Sequence, residues 1–383
     1  MKQTTGKCAL LAVVLLAGAG ALRGQAPEGP MAPRPGQPVQ QVPPDVQAKL
    51  KVRVALVNMP VTVRNAKGDM VHDLDAKDFR ITDNGAAQTI SHFDLGGDPL
   101  SVVILIETSS RIDPILPEIR KTGILFTQTV MSSEGEGAVV GFNDAVDKLQ
   151  DFTNDGDSIE NVVTHLETGT SGSKLYDAMA VGVEMLSGRM PQPTADKPGK
   201  RRVMLILSET VDAGSEAKLG EVLRKAQLAN VTIYSVGLST TRSELHSKPN
   251  DPGPAPIAPP GIMTLPPPPG TIQTPTTEAN RNSGVDLLGL AVWAVEHADN
   301  KIKDHAMEVA CTATGGAHLS TYKDRSIEKA IDEIGGELHS QYTVGYAPTD
   351  ANDLGYHEIK VQVDRKNLKV RTRPGYYVAP PES

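Results

Sequence analysis

Cysteine is nearly missing from this sequence: its 383 residues hold two, Cys8 and Cys311. Cys8 lies inside an apolar run near the N-terminus with no lipobox spacing of small residues before it, which argues against a lipid anchor there. Once that run is shed only Cys311 remains, so the mature chain has no internal disulfide and must be held by core packing. Long apolar runs are missing as well. After the first segment none reaches the roughly 20 residues a membrane span needs, so no transmembrane insertion is expected after signal cleavage. Positive charge is scarce, with 38 Lys and Arg against 46 Asp and Glu. That balance makes nucleic acid and acidic membrane surfaces poor partners.

Enzyme signatures are missing too. There is no G-x-S-x-G elbow, H-E-x-x-H helix, P-loop or C-x-x-C pair. "GEGAVVG", from Gly135, has the glycines of a dinucleotide loop but leads into a strand instead of following one into a helix, so it cannot cradle a phosphate. The nine histidines are scattered. His297 and His305, eight apart with acids between them, read as a solvated helical face. A protein without catalysis is the expectation; a secreted enzyme of unrecognised type is the rival.

What is present begins with "MKQTTGKCALLAVVLLAGAGALRGQA". Lys2 and Lys7 precede an apolar stretch that ends in small residues around Ala26, the pattern of a secretory signal peptide. Cleavage would remove Lys2, Lys7 and Arg23 and no acid, taking the net charge from −8 to −11. The product is expected to be exported, either periplasmic or secreted. Residues 27–48 read as a Pro-rich linker. Residues 49–97 alternate apolar and polar side chains, with Asn84-Gly85 as a hairpin turn. From 98 to 340 strands and helices take turns, and strands such as "SVVILIET" and "RRVMLILSE" are apolar on both faces. A stretch at 243–283 rich in proline interrupts this domain; it reads either as a solvated insertion or as a polyproline ligand for a partner groove. Alternation returns over 341–380.

The fold class expected is α/β: a doubly wound, mostly parallel sheet flanked by a small β-module. Strands at the two ends of the chain each need a partner, so they are expected to build that module together, with the α/β domain inserted between them. Ligands on parallel sheets bind at the carboxyl ends of the strands, which selects the loops after Ile106 and Leu207.

Three loops carry oxygen-bearing side chains. They are "ETSSR" with Glu107, Ser109, Ser110 and Arg111, "TSGSKLYDA" with Ser173, and "LSETVDAGS" with Glu209 and Asp212. Their order and wording resemble the von Willebrand factor type A domain, whose loops read D-x-S-x-S, GGT-x-LYDA and L-[ST]-DG-x-D. The flanking "DFRITDNGAAQTI" and "SQYTVGYAPT" resemble exported VWFA-related proteins of the acidobacterial type. The resemblance implies an adhesion or binding protein that recognises a protein partner, whose identity the sequence does not give. It also implies a metal-ion-dependent adhesion site, in which Glu107, Ser109, Ser173 and Glu209 stand at ligand positions for Mg or Ca. Ser110, Arg111 and Asp212 would belong to the same binding surface.

Three of those positions depart from the family pattern. Glu replaces Asp at 107 and 209, and each extra methylene strains the tight octahedron of Mg more than the looser shell of Ca. Arg111 replaces the second Ser, bringing a permanent positive charge and no lone pair. The balance favours no cofactor: the guanidinium is expected to pair with Glu107 and Glu209 where a cation would sit. In the alternative, Arg111 faces solvent and Ser110 supplies an oxygen. A purely structural envelope module built around such an ion pair is a further reading.

Overall fold

The computed structural model describes residues 56–131, 134–189, 200–238, 287–297, 305–321, 326–349 and 354–378. The expected signal peptide, the linker, residues 49–55 of the β-module and the Pro-rich insertion lie outside them.

Strand β5 (Leu100–Glu107) is buried along its whole length. It runs parallel to β6 (Glu136–Phe142) on one side and to β8 (Arg201–Ser208) on the other. A strand enclosed in this way needs apolar side chains on both faces, which is why "SVVILI" carries them without alternation. β9 (Val231–Gly237) and β10 (His318–Ser320) extend the sheet beyond β8, and β7 (Val146–Thr153) closes the other edge antiparallel to β6. The strand order is β10-β9-β8-β5-β6-β7.

Helices cover both faces of this sheet. Val103 and Leu105 pack into a core with α4 (Leu175–Ser187), α5 (Leu219–Leu228), α6 (Leu287–His297) and α7 (Ala306–Thr314). Val102, Ile104 and Ile106 point the other way, into a core with α3 (Gly156–Thr164) and α8 (Ile327–Leu338). The doubly wound, mostly parallel sheet is the class read from the sequence, and its arrangement is von Willebrand A-like.

The two ends of the chain pair with each other. β1 (Val57–Arg64) lies between β11 (Tyr342–Tyr346) and β13 (Lys369–Arg371), and β4 (Ile90–Leu95) adds to β11. β2 (Phe79–Asp83) lies between its hairpin partner β3 (Ala86–Gln88) and β12 (Gly355–Val363), and β14 (Gly375–Val378) adds to β12. Asn84 and Gly85 both have positive φ, 46° and 85°, as a two-residue hairpin turn requires. The two four-stranded sheets share one core, in which Phe79 meets Phe93 at 5.4 Å and Tyr342 at 5.2 Å between ring centroids.

Two helical stretches differ from the sequence reading. "ILPEIRKTGILFTQTVM" is not one helix. It is a 3-10 segment (Ser110–Ile115), short helices α1 (Leu116–Arg120) and α2 (Gly123–Leu125), and a π turn (Phe126–Val130). Pro117 falls in the first turn of α1, where a missing amide donor is tolerated and a helix starts afresh, and Gly123 opens α2 where a Cβ would meet the Glu160 backbone at 3.1 Å. His297 and His305 do not share a described helix either: the first ends α6, and the second precedes α7 with φ 59°.

Candidate functional site

The site lies where β5 and β8 end side by side. Parallel pairing brings Ile106 opposite Leu207, so the next residues, Glu107 and Ser208, emerge together at the carboxyl edge of the sheet. Glu107 is completely buried. Its Oε1 accepts from Ser109 Oγ at 2.6 Å and from Arg111 Nη2 at 2.8 Å. Its Oε2 accepts from Ser208 Oγ at 2.8 Å and from the Glu209 amide at 2.9 Å. A carboxylate offers about four lone-pair sites, and all of them are used. The buried charge is thereby compensated by one guanidinium and three neutral donors.

Arg111 turns towards the carboxylates. Its Nε lies 3.4 Å from Glu209 Oε2 and 3.5 Å from Ser109 Oγ, and its side chain is 24 % exposed while that of Glu209 is 6 % exposed. One Arg bridging two Glu leaves a net single negative charge. A cation ligated by Glu107 would have to displace a guanidinium from a buried partner, and breaking such a pair costs several kcal/mol, roughly 3–5 for full burial and less here because Arg111 is partly exposed.

The other candidates are placed differently. Ser110 is exposed, and its amide donates to Thr170 O at 3.0 Å, tying the first loop to the second. Ser173 is fully buried and its hydroxyl has no partner. Its backbone pairs with Ala213, Ala213 N donating to Ser173 O at 2.7 Å. That orphaned hydroxyl is the one feature of the set that a bound ion would satisfy. Asp212 caps a helix: its Oδ1 accepts from Tyr176 N at 3.2 Å and from Ser215 Oγ at 2.6 Å, at the start of α4. Asp177 on α4 returns the favour, accepting from Glu216 N at 3.0 Å and Ala217 N at 2.8 Å. Burial, with the Asp212 charge second, holds the Tyr176 phenol well above its ordinary range.

Glu107, Ser109, Arg111 and Glu209 thus form one cluster, and Ser173 joins the third loop through backbone pairing. Sequence reasoning missed Ser208, the second hydroxyl on Glu107. Its signal was the serine in "LSET", at the position where the resembled motif takes Ser or Thr. It also missed the reciprocal capping in which Ser215 Oγ accepts from the Tyr176 and Asp177 amides, each at 3.1 Å, and Asp177 accepts from the amides of Glu216 and Ala217, which depends on two distant segments meeting. Among the described residues no group of three or more His, Cys, Asp or Glu is arranged to hold a metal ion.

No protein-family model matches the chain, and no curated protein does. Solved structures with low similarity exist. BatB from Bacteroides thetaiotaomicron is 11 % identical, with 62 % of this chain and 98 % of that one covered at a TM-score of 0.37. The VWA domain of SpRpn10 is 15 % identical, with 39 % and 79 % covered at 0.30. A von Willebrand factor type A protein from Catenulispora acidiphila is 13 % identical, with 48 % and 40 % covered at 0.32. These likenesses add nothing to the chemistry of the site, and the fold stands on its strand order.

Proposed function

We propose that this chain is an exported, non-catalytic recognition protein that meets a protein partner at the strand-end face above β5 and β8, without a cation. The observation that carries this reading is the Arg111 guanidinium, 2.8 Å from the saturated carboxylate of Glu107 and 3.4 Å from Glu209. It supplies positive charge at the spot where the resembled family uses a metal. Val211 in the third loop is 51 % exposed and gives the same face an apolar contact point. Loops at the ends of a rigid sheet are where such folds place recognition.

Calorimetric titration with Mg, Ca and Mn tests the cation clause. The native chain is expected to bind none of them stoichiometrically, whereas Arg111→Ser combined with Glu107→Asp and Glu209→Asp gains binding. Tight one-to-one binding by the native chain would overturn it. Capture of a partner from the native envelope, with and without a chelator, tests the recognition clause: the same partner is expected in both, and its retention by a Val211→Asp, Ser110→Asp variant would count against this face.

A second reading is favoured by the complete burial of Glu107. In it the knot only staples the β5 and β8 loops, and the chain serves as a structural module of the envelope. Unaltered assembly of that envelope when Arg111 is replaced would remove this reading.

A further inference from the structure

Away from the strand-end loops, a cleft of about 490 Å³ opens between the β-sandwich and the α/β domain. β1, the turn after it and β13 form one wall, and the other comes from α8 and the edge of the large sheet. Four cationic side chains line it, Arg64, Lys67, Lys369 and Arg371, against two acids, Glu333 and Glu337. A surplus of positive charge in a chain of net charge −8 is a local feature that the overall composition opposes.

Part of that charge has a structural task. Glu337 is buried and takes Arg64 Nη2 at 3.1 Å on one oxygen, with Tyr234 at 2.8 Å and the Arg371 guanidinium on the other. Across the whole lining four cations face two acids, Glu333 and Glu337, so the cleft carries a net charge of +2. Arg371 also keeps its Nε–H buried without a partner. Lys67 is exposed on a turn held by Asn65, whose Oδ1 accepts from the amides of Lys67 at 2.8 Å and Asp69 at 3.0 Å. The turn fixes the backbone that carries Lys67, and the residue lines the cleft.

The geometry points to a binding site for a small dianion, of the phosphate or dicarboxylate class, in this cleft. The volume lies in the range of small-molecule sites, and junctions between domains are where such sites concentrate. Guanidinium forks and ammonium groups are the donors that recognise these anions. Leu319 and Ile334 add an apolar floor that admits a short carbon chain. Because β13 and β1 come from opposite ends of the chain, a ligand here would clamp the sandwich to the inserted domain.

The test uses the full mature chain, with inorganic phosphate and succinate as probes and chloride as the monovalent control. Calorimetry and thermal unfolding are the readouts. Saturable one-to-one binding of at least one dianion is expected, with a rise in the unfolding midpoint that chloride at equal ionic strength does not give. Lys67→Glu should weaken the binding by about tenfold or more while leaving the midpoint of the free protein unchanged, since the residue is exposed. Absence of saturable binding by both probes would overturn the site. Binding that Lys67→Glu leaves unaltered, or that chloride reproduces, would do so equally.

Discussion

Thr210 has φ 65°, in the left-handed region, and it follows Glu209 directly in the third loop. A β-branched residue there is strained, at about 1–2 kcal/mol, because its Cβ crowds the carbonyl oxygen. The strain is held in place by the Thr210 amide donating to Ser208 Oγ at 2.9 Å and by the Glu209 amide donating to Glu107. Thr210→Gly is therefore expected to stabilise the fold by about 1 kcal/mol, offset in part by the greater freedom of glycine in the unfolded chain. Denaturant unfolding reads it as a raised midpoint with unchanged slope, and a lowered midpoint would show that the threonine side chain contributes packing instead. The mismatch was visible in the sequence, since "LSETVD" puts Thr where the resembled motif has Gly. Its consequence for φ was not, because a motif does not state which backbone angle survives a substitution. The same limit applies to Asp212. Its position in a binding motif was legible, while its bond to the Tyr176 amide needed the third loop to fold back onto α4.

At the scale of elements, helix α8 contains two adjacent glycines whose surroundings are opposite. A methyl group at Gly335 would come within 2.5 Å of the Thr129 carbonyl and side chain, on the π turn that packs against it. At Gly336 nothing lies within 4 Å. Gly335→Ala should destabilise the protein by about 1–3 kcal/mol through overpacking, and Gly336→Ala should stabilise it by up to about 1 kcal/mol through helix propensity. Urea midpoints of the two variants measured side by side check this, and equal shifts of one sign would refute the placement of α8 on the π turn. "EIGGEL" alone shows two weak helix positions without saying which is there for close approach. Other elements were readable because one physical cause dominates them. β5 and β8 had to be enclosed, since no solvated face tolerates "VVILI" or "VMLIL". The stretch from Ile115 to Met131 differs from the sequence reading because its apolar spacing suits one helix, whereas the close approach of Gly123 to Glu160 on α3 is a contact between distant segments that spacing does not show.

At the scale of the whole molecule, the chain's two ends are mutually dependent. Among the described strands β1 pairs with β11 and β13, both from the C-terminal segment, and β4 pairs with β11, while the N-terminal segment itself adds to β1 the Arg64–Met70 bridge. Alternating patterns at both ends made a joint module inferable from the sequence, because a lone hairpin does not persist in water. That the ends form two sheets sharing a core was not inferable, as periodicity gives a strand's faces and never its neighbour. The inserted domain is tied to this sandwich at several points. Glu337 of α8 binds Arg64 of β1 and Arg371 of β13, Arg373 donates to Asn230 Oδ1 at 2.7 Å, and Arg224 of α5 lies 4.6 Å from the centroid of the Tyr377 ring. A chain cut after Ser340 would leave Met59, Val61 and Ile81 without Tyr342, Val344 and Ile359, and Glu337 without one of its arginines. The expected result is rapid proteolysis within residues 56–97 and a lowered, broadened calorimetric transition for the remainder, because a buried acid losing a partner destabilises the helix that bears it. The intact chain should instead unfold in one transition, with cleavage in the sandwich and in the large sheet appearing together. Protection of 56–97 in the truncated chain would mean that β1 and β4 find partners without the C-terminal strands, and the joint sandwich would then be the wrong account of how the two ends hold together.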